Sequence, residues 1–251
     1  MKGLPRPSLA RRLADGVLSV LMAPTCVACR QPLESPLAGP ACPSCWQSIT
    51  IITPPICEGC GDPLPSWRQT SVERSRCARC RRAPGAIDGG RAAGIYDGAL
   101  REILHALKYD GRRSLAAPLA GLMADAGRDL LRGADVAVPV PLHRKRRRTR
   151  GFNQARDLGI RLGLPLSDAL ARTRATPSQT DLPASRRHAN VRGAFVVVAR
   201  CRVEIADRVV VLVDDVSTTG ATLGACARAL KAAGAREVRA LTAARVVSER
   251  S

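Results

Sequence analysis

The run VVVLVDDVSTTGAT, residues 209 to 222, joins an uninterrupted apolar stretch to two carboxylates and then to a loop of hydroxyls with one glycine. Continuous Val and Leu mark a strand buried on both faces, so Asp214 and Asp215 are expected to emerge at its carboxyl end, the edge where open α/β sheets bind ligands. Ser217, Thr218, Thr219, Gly220, Ala221 and Thr222 then lead into the next helix. Backbone N–H groups, hydroxyls and a helix dipole favour a phosphate there, and Gly220 permits the close turn. Carboxylates would repel that phosphate. They suit a neighbouring polyol, whose hydroxyls they can accept from, or a metal ion that carries more phosphate. A sugar phosphate satisfies both halves of the motif.

A second chemistry lies near the other end. Eight of the ten cysteines form four C-x-x-C pairs: Cys26/Cys29, Cys42/Cys45, Cys57/Cys60 and Cys77/Cys80. Each tight turn offers two thiolates to one cation, and two turns complete a tetrahedral zinc site. CVACRQPL at 26–33 and CEGCGDPL at 57–64 repeat one pattern, and each repeat ends in its own second pair, CPSC or CARC. Sequential pairing, with one zinc per repeat, is the economical arrangement; cross-braced pairing has compatible spacing. All-cysteine sites leave no open position for substrate, so both zincs are expected to be structural. A disulfide framework fits less well, because nothing in the sequence indicates secretion. Cys201 and Cys226 stand alone, and Cys226, among alanines in an expected helix, reads as a core residue.

A third feature is the basic run after VPVP: His143, Arg144, Lys145, Arg146, Arg147, Arg148 and Arg150. At a strand end such a run could neutralise a diphosphate, with Arg150 favoured for its neighbours Gly151, Asn153 and Gln154. The plainer expectation for any one of these arginines is a solvated loop. Lys108 and Tyr109 are weaker candidates. The Arg-rich polar stretch 172–191 is expected to be a loop able to close over substrate through Gln179, Arg187 and Asn190. His105 and His188 have no partner visible in sequence.

The elements that must position these groups follow from periodicity. Helices are expected at 100–107, 115–131, 153–162 and 223–233, the last ended by Gly234; strands are expected at 135–140, 195–199, 209–213 and 238–243. Strands separated by helices predict a mostly parallel sheet covered on both faces. At the N-terminus, Leu9, Leu13, Val17, Val20 and Leu21 fall on one helical face, which is expected to pack on the protein. Asp15 and Gly16 interrupt the apolar stretch and argue against a signal peptide, and no stretch approaches the length of a membrane span, so a cytoplasmic location is expected.

Composition bounds the partners. The 251 residues carry 40 Lys and Arg against 21 Asp and Glu, a formal charge of +19, which attracts any anion before specific contacts form. Aromatic residues are only 2%, and no segment interleaves them with cations, which disfavours single-strand recognition by base stacking.

The stretch 209–222 resembles the signature of type I phosphoribosyltransferases, which bind phosphoribosyl pyrophosphate (PRPP). By that resemblance Asp214 and Asp215 would contact the ribose hydroxyls, and Ser217 to Thr222 would cradle the ribose phosphate. REILHALKYDGRRSLAAPLA at 101–120 and VPVPLHRKRRRTRGFNQA at 138–155 are similar to the ComF family, which includes competence proteins associated with DNA uptake, and the likeness covers nearly the whole chain. It implies an N-terminal helix at 1–24, a double zinc ribbon at 25–87 and an α/β phosphoribosyltransferase-like domain at 88–251. Leu142, His143 and Arg144 would lie in the place of the pyrophosphate loop, with magnesium on the diphosphate. The implied reaction is displacement of pyrophosphate from the anomeric carbon by a nitrogen nucleophile, yet the sequence offers no convincing nucleobase pocket or general base. Three expectations follow: an active transferase, a PRPP-binding module without catalysis, or a competence factor that handles single-stranded DNA or meets the DNA-uptake machinery.

Overall fold

A computed structural model describes residues 8–64, 75–173 and 193–247. In chain order its helices and strands are α1 (Leu9–Met22), α2 (Pro43–Gln47), α3 (Ala78–Arg82), β1 (Gly89–Ile95), α4 (Gly98–Tyr109), α5 (Ala116–Ala126), α6 (Arg128–Leu131), β2 (Val136–Pro139), α7 (Arg144–Arg150) and α8 (Gln154–Gly159). They continue as β3 (Leu170–Arg172), β4 (Phe195–Val197), α9 (Arg202–Ile205), β5 (Val209–Ser217), α10 (Ala221–Ala232) and β6 (Glu237–Arg245). Two compact units result, one within Met1–Ile49 and Asp97–Leu115, the other within Thr50–Tyr96 and Ala116–Ser251.

The first unit holds α1, the first four-cysteine repeat, α2 and α4, with α4 packed on α2. Ser8 caps α1 by accepting from Arg11 N–H. The expected orientation of α1 is reversed. Asp15, 5% exposed, accepts from Leu37 N–H at 2.8 Å, the Ser19 hydroxyl donates to Leu33 C=O at 3.0 Å, and Arg11 donates to Leu37 C=O at 3.2 Å. These polar residues dock the helix, whereas Leu9, Leu13, Val17, Val20 and Leu21 are all more than half exposed. A buried carboxylate satisfied by a backbone donor fixes the contact that an apolar face was expected to make.

The second unit is built on a parallel sheet of order β1-β6-β5-β2. Helices α5 and α8 pack on one face; α10 and a separate antiparallel pair, β3 with β4, cover the other. The expected mostly parallel sheet with two covered faces is therefore the observed one. Ile52 and Ile95 N–H groups bond across the outer edge of β1 to Ala93 and Thr50 carbonyls, so that edge is not left open.

Three elements depart from those expected. The helix expected at 115–131 is broken into α5 and α6 at Gly127, which takes φ −102° and ψ 17°, outside helical geometry, and whose missing side chain leaves room for the Leu241 side chain: a Cβ would lie 2.6 Å from Leu241 Cδ1. Strand β5 runs on through both aspartates to Ser217, because β6 supplies ladder partners at Thr242, Ala244 and Arg245. The basic run forms the short helix α7 rather than a loop. No helix among the described residues is long and apolar enough to cross a membrane.

Candidate functional site

Strand β5 lies between two parallel neighbours, with Val213 paired to both Pro139 and Leu241, and its five leading residues are fully or nearly fully buried. Successive side chains of a strand point to opposite faces. Asp214 therefore shares the face of Val210 and Leu212, toward α10 and the β3–β4 pair, while Asp215 shares that of Val213, toward α8. The two acids are not equivalent. Asp214 is half-buried, its Oδ1 accepting from Asp215 N–H at 2.9 Å; Asp215 is 5% exposed.

The field of Asp214 identifies its surroundings. It reaches Cys226 on α10, whose thiol pKa burial, first, and then Asp214 push well above the ordinary value. Cys226 is thus a neutral core thiol, as its place among alanines suggests. Asp214 also acts on Arg172 at the end of β3, where burial and then Arg146 lower the guanidinium pKa while Asp214 supports its charge. Arg172 stacks over the Phe195 ring at 5.4 Å. The sequence placed Arg172 in a substrate loop; strand pairing with Phe195 puts it in the separate β3–β4 pair instead, within the field of the acid. Gln179, Arg187, Asn190 and His188 lie outside the described residues.

At the strand's end Ser217 is 4% exposed, and its carbonyl accepts from Val246 N–H at 2.9 Å. Thr218, Thr219, Gly220 and Thr222 are half-buried and Ala221 is buried. Gly220 takes φ 76°, a left-handed conformation that favours glycine, and stands at the N-cap of α10 with no side-chain cap. Thr219 Oγ1 accepts from Ala221 N–H at 3.4 Å. The turn points the opening of a twelve-residue helix at the sheet edge beyond the aspartates.

The candidate pyrophosphate residues leave from the neighbouring strand. Val140 N–H bonds to Val213 C=O at 2.9 Å, so the chain departs β2 beside the residue preceding Asp214. Leu142 and His143 follow half-buried, Arg144 opens α7 exposed to solvent, and Arg150 closes it half-buried. Asn153 fixes the return. It donates from Nδ2 to Val140 C=O at 3.1 Å and caps α8 by accepting from Ala155 N–H at 3.1 Å, after Gly151 turns at φ 76°. This double role could be suspected only from an Asn preceding a helix; its long-range half has no sequence signal. The Gln154 Oε1 and Thr242 Oγ1 atoms are buried without a hydrogen-bond partner among the described residues, and Thr242 pairs in register with Asp214. Lys108 and Tyr109 end α4 in the other unit, where Tyr109 packs on His105 with ring centroids 4.5 Å apart.

The cysteines gather as two sets, Cys26, Cys29, Cys42 and Cys45, and Cys57, Cys60, Cys77 and Cys80. The pairing is sequential. Tetrahedral zinc with bonds of about 2.3 Å to sulfur requires sulfurs about 3.8 Å apart. Cys26 and Cys45 are 3.8 Å apart, Cys29 and Cys42 3.8 Å, and Cys60 and Cys77 3.7 Å, so both sets fit the ion. Backbone donors steady the sulfurs: Cys42 N–H to Cys26 Sγ at 3.3 Å and Cys77 N–H to Cys57 Sγ at 3.2 Å. Ser44, then the Cys45 backbone, lower the Cys42 thiol pKa to about 6, which favours the thiolate a metal needs.

The second set is wired to the loop. Arg79, between Cys77 and Cys80, donates to Thr219 C=O at 3.2 Å and to Asp62 at 3.2 Å. Burial opposes the Arg79 charge, but Cys60, Asp62 and Cys77 outweigh it and raise its pKa. Arg245, 3% exposed, pairs with Asp62 and donates to Cys60 C=O at 2.9 Å and Ser217 Oγ at 3.3 Å. Arg79 and Arg245 were not singled out from sequence, since each partner lies far away along the chain.

Comparison with known proteins agrees with this anatomy. Residues 17–81 match the double zinc ribbon domain and residues 148–251 the phosphoribosyl transferase domain. The chain is 30% identical over 223 residues to competence protein F of Haemophilus influenzae and 33% identical over 223 residues to DNA utilization protein YhgH of Escherichia coli K12, in each case across 85% of this chain and 93% of the relative. A solved structure titled as the allosteric regulatory enzyme of purine biosynthesis aligns with 51% of this chain and 26% of its own, at 23% identity and a TM-score of 0.35, too slight a likeness to carry an argument. Identity at this level, across nearly the full length of both proteins and with both domains in place, shows that the chain belongs to the competence protein F (ComF) family.

Proposed function

We propose that this protein binds PRPP at the carboxyl edge of β5 and serves the handling of incoming DNA in natural competence. The observation that carries the binding half is the junction of β5 and α10: a half-buried carboxylate, a left-handed Gly220 and an uncapped helix start within seven residues, 214 to 220. Ser217, Thr218, Thr219, Gly220, Ala221 and Thr222 would surround the ribose phosphate. Asp214, the more accessible acid, would accept from the ribose hydroxyls, with Asp215 behind it shaping the strand end. Leu142, His143, Arg144 and Arg150 would face the diphosphate, where backbone amides and guanidinium groups offset its charge.

Magnesium fits as an ion that arrives with the diphosphate. Among the described residues the groups of three or more metal-binding side chains are the two cysteine sets. Magnesium commonly takes one or two carboxylates plus substrate phosphates and water, and Asp214 can provide such a contact. Its chemistry would be to neutralise the departing diphosphate. Transfer would form a bond from an acceptor nitrogen to the anomeric carbon as the carbon–oxygen bond breaks, pyrophosphate leaving with the electron pair and the nitrogen losing a proton. The competence half of the reading draws on the names of the relatives; the +19 charge is compatible with single-stranded DNA as a partner, as with any polyanion.

Calorimetric titration of the zinc-loaded chain with magnesium and PRPP tests the binding. Saturation by the wild type, lost in the Asp214→Ala, Asp215→Ala double variant, is the expected result; no heat from a folded wild type would reject the reading. Release of pyrophosphate that depends on an added base or amine distinguishes a transferase from a binding module.

A further inference from the structure

The two cysteine repeats share a scaffold. Cys26 N–H bonds to Gln31 C=O at 2.8 Å and Cys57 N–H to Asp62 C=O at 2.7 Å; Arg30 and Gly61 occupy the same turn with φ 64° and 73°. They differ where the second meets the sheet. Gln31 becomes Asp62, Arg30 becomes Gly61, and Ser44 becomes Arg79. Each change on the second side makes a contact. Asp62 holds both Arg79 and Arg245, Arg79 reaches the Thr219 carbonyl, and a Cβ on Gly61 would lie 2.9 Å from Gly90 C=O, a space only glycine fits.

We infer that the second zinc ribbon is a positioning arm for the phosphate loop, with Arg79 and Arg245 transmitting the metal-fixed geometry of Cys57, Cys60, Cys77 and Cys80 to Ser217 and Thr219. Arg79 sits between two metal ligands, so closure of the cluster fixes where its backbone lies. Its guanidinium then ties the carbonyl just before Gly220, the residue whose left-handed turn opens α10. Arg245 does the same from below: one buried guanidinium joins the Cys60 carbonyl, Asp62 and the Ser217 hydroxyl. Buried charged donors of this kind are costly to leave unpaired, so the three partners hold one another in place. Coupling between two sites is reciprocal, so a metal that tightens sugar-phosphate binding is itself held more tightly when that ligand is bound.

This inference rests on the loop being the phosphate site, and its test separates the two ideas. Arg79 is 45% exposed at its side chain, so Arg79→Ala is expected to fold and to keep two zincs per chain by atomic absorption. The expected result is a roughly tenfold loss of PRPP affinity, about 1.4 kcal/mol, with faster amide hydrogen exchange at 217–222, partial recovery in Arg79→Lys, and no change in the first-ribbon control Arg30→Ala. PRPP is also expected to slow chelator removal of one zinc of the two in the wild type and not in Arg79→Ala. Should Arg79→Ala fold poorly, Asp62→Asn reads the same coupling. Wild-type PRPP affinity and unchanged loop exchange in a folded, two-zinc Arg79→Ala would overturn the arm. A wild type that never binds PRPP would reject the proposed function instead, and loop exchange in Arg79→Ala would still decide whether the arm exists.

Discussion

The two ribbons repeat one local solution and use it differently. In both, a C-x-x-C turn is closed by backbone bonds, a left-handed residue follows, and a second pair begins a short helix, α2 or α3. The first ribbon leaves the corresponding positions exposed at Arg30, Gln31 and Ser44, and meets α1 through the shared Leu33, whose C=O accepts from Ser19. The second turns the same positions inward, onto β1, β6 and the loop after β5. The metal-binding scaffold is therefore separable from what it supports. Duplicating such a scaffold leaves one copy free to acquire buried ionic contacts whose cost is met only when every partner is present.

The largest effect is expected from removing one ligand of each cluster. Cys60→Ser is predicted to lose one zinc and to weaken PRPP binding by at least thirtyfold, while Cys29→Ser loses one zinc and keeps PRPP affinity within about twofold; metal content and calorimetry on the same preparations check it. Equal losses from both variants would break the comparison.

Next is the left-handed position. Gly61→Ala combines a strained φ with a clash against Gly90 C=O and is expected to cost about 2–4 kcal/mol in denaturant unfolding. Arg30→Ala, at an exposed position already tolerant of a side chain, is expected to fall within about 0.5 kcal/mol of wild type.

A comparison within the site sharpens the account further. Asp214→Asn is predicted to weaken PRPP binding about tenfold with little change in stability, because Asp214 is half-buried, whereas Asp215→Asn, at a position 5% exposed, is predicted to show in the unfolding midpoint as well. The smallest effect concerns Cys226, one of the two cysteines outside both clusters. Burial raises the Cys226 thiol pKa, so the thiolate is scarce in the native protein at neutral pH and a maleimide is expected to label it only after unfolding.

Much of this organisation was visible in the chain itself. The valine run of β5, the phosphate-like loop and the four C-x-x-C pairs are local patterns, and each appears where its residues placed it. What escaped was set by neighbours distant in sequence. Two aspartates after a valine run look like a strand's end, yet the β6 ladder carries the strand past them and divides them between faces. The 115–131 helix breaks at Gly127, beside which the Leu241 side chain packs, a neighbour distant in sequence. The amphipathic pattern of α1 is real, but Asp15 and Ser19 dock it, because satisfying buried polar groups outweighed burying its leucines. Arg79 and Arg245 were two among many arginines until the fold brought them to Thr219 and Ser217.

The most direct measurement is amide hydrogen exchange of the zinc-loaded chain with and without magnesium and PRPP. The account predicts that saturating PRPP slows exchange at residues 214–223, with weaker protection in the segment from Leu142 to Arg150 and none across Cys26–Cys45. Unchanged exchange at 214–223 in a folded protein exposed to saturating PRPP would contradict it.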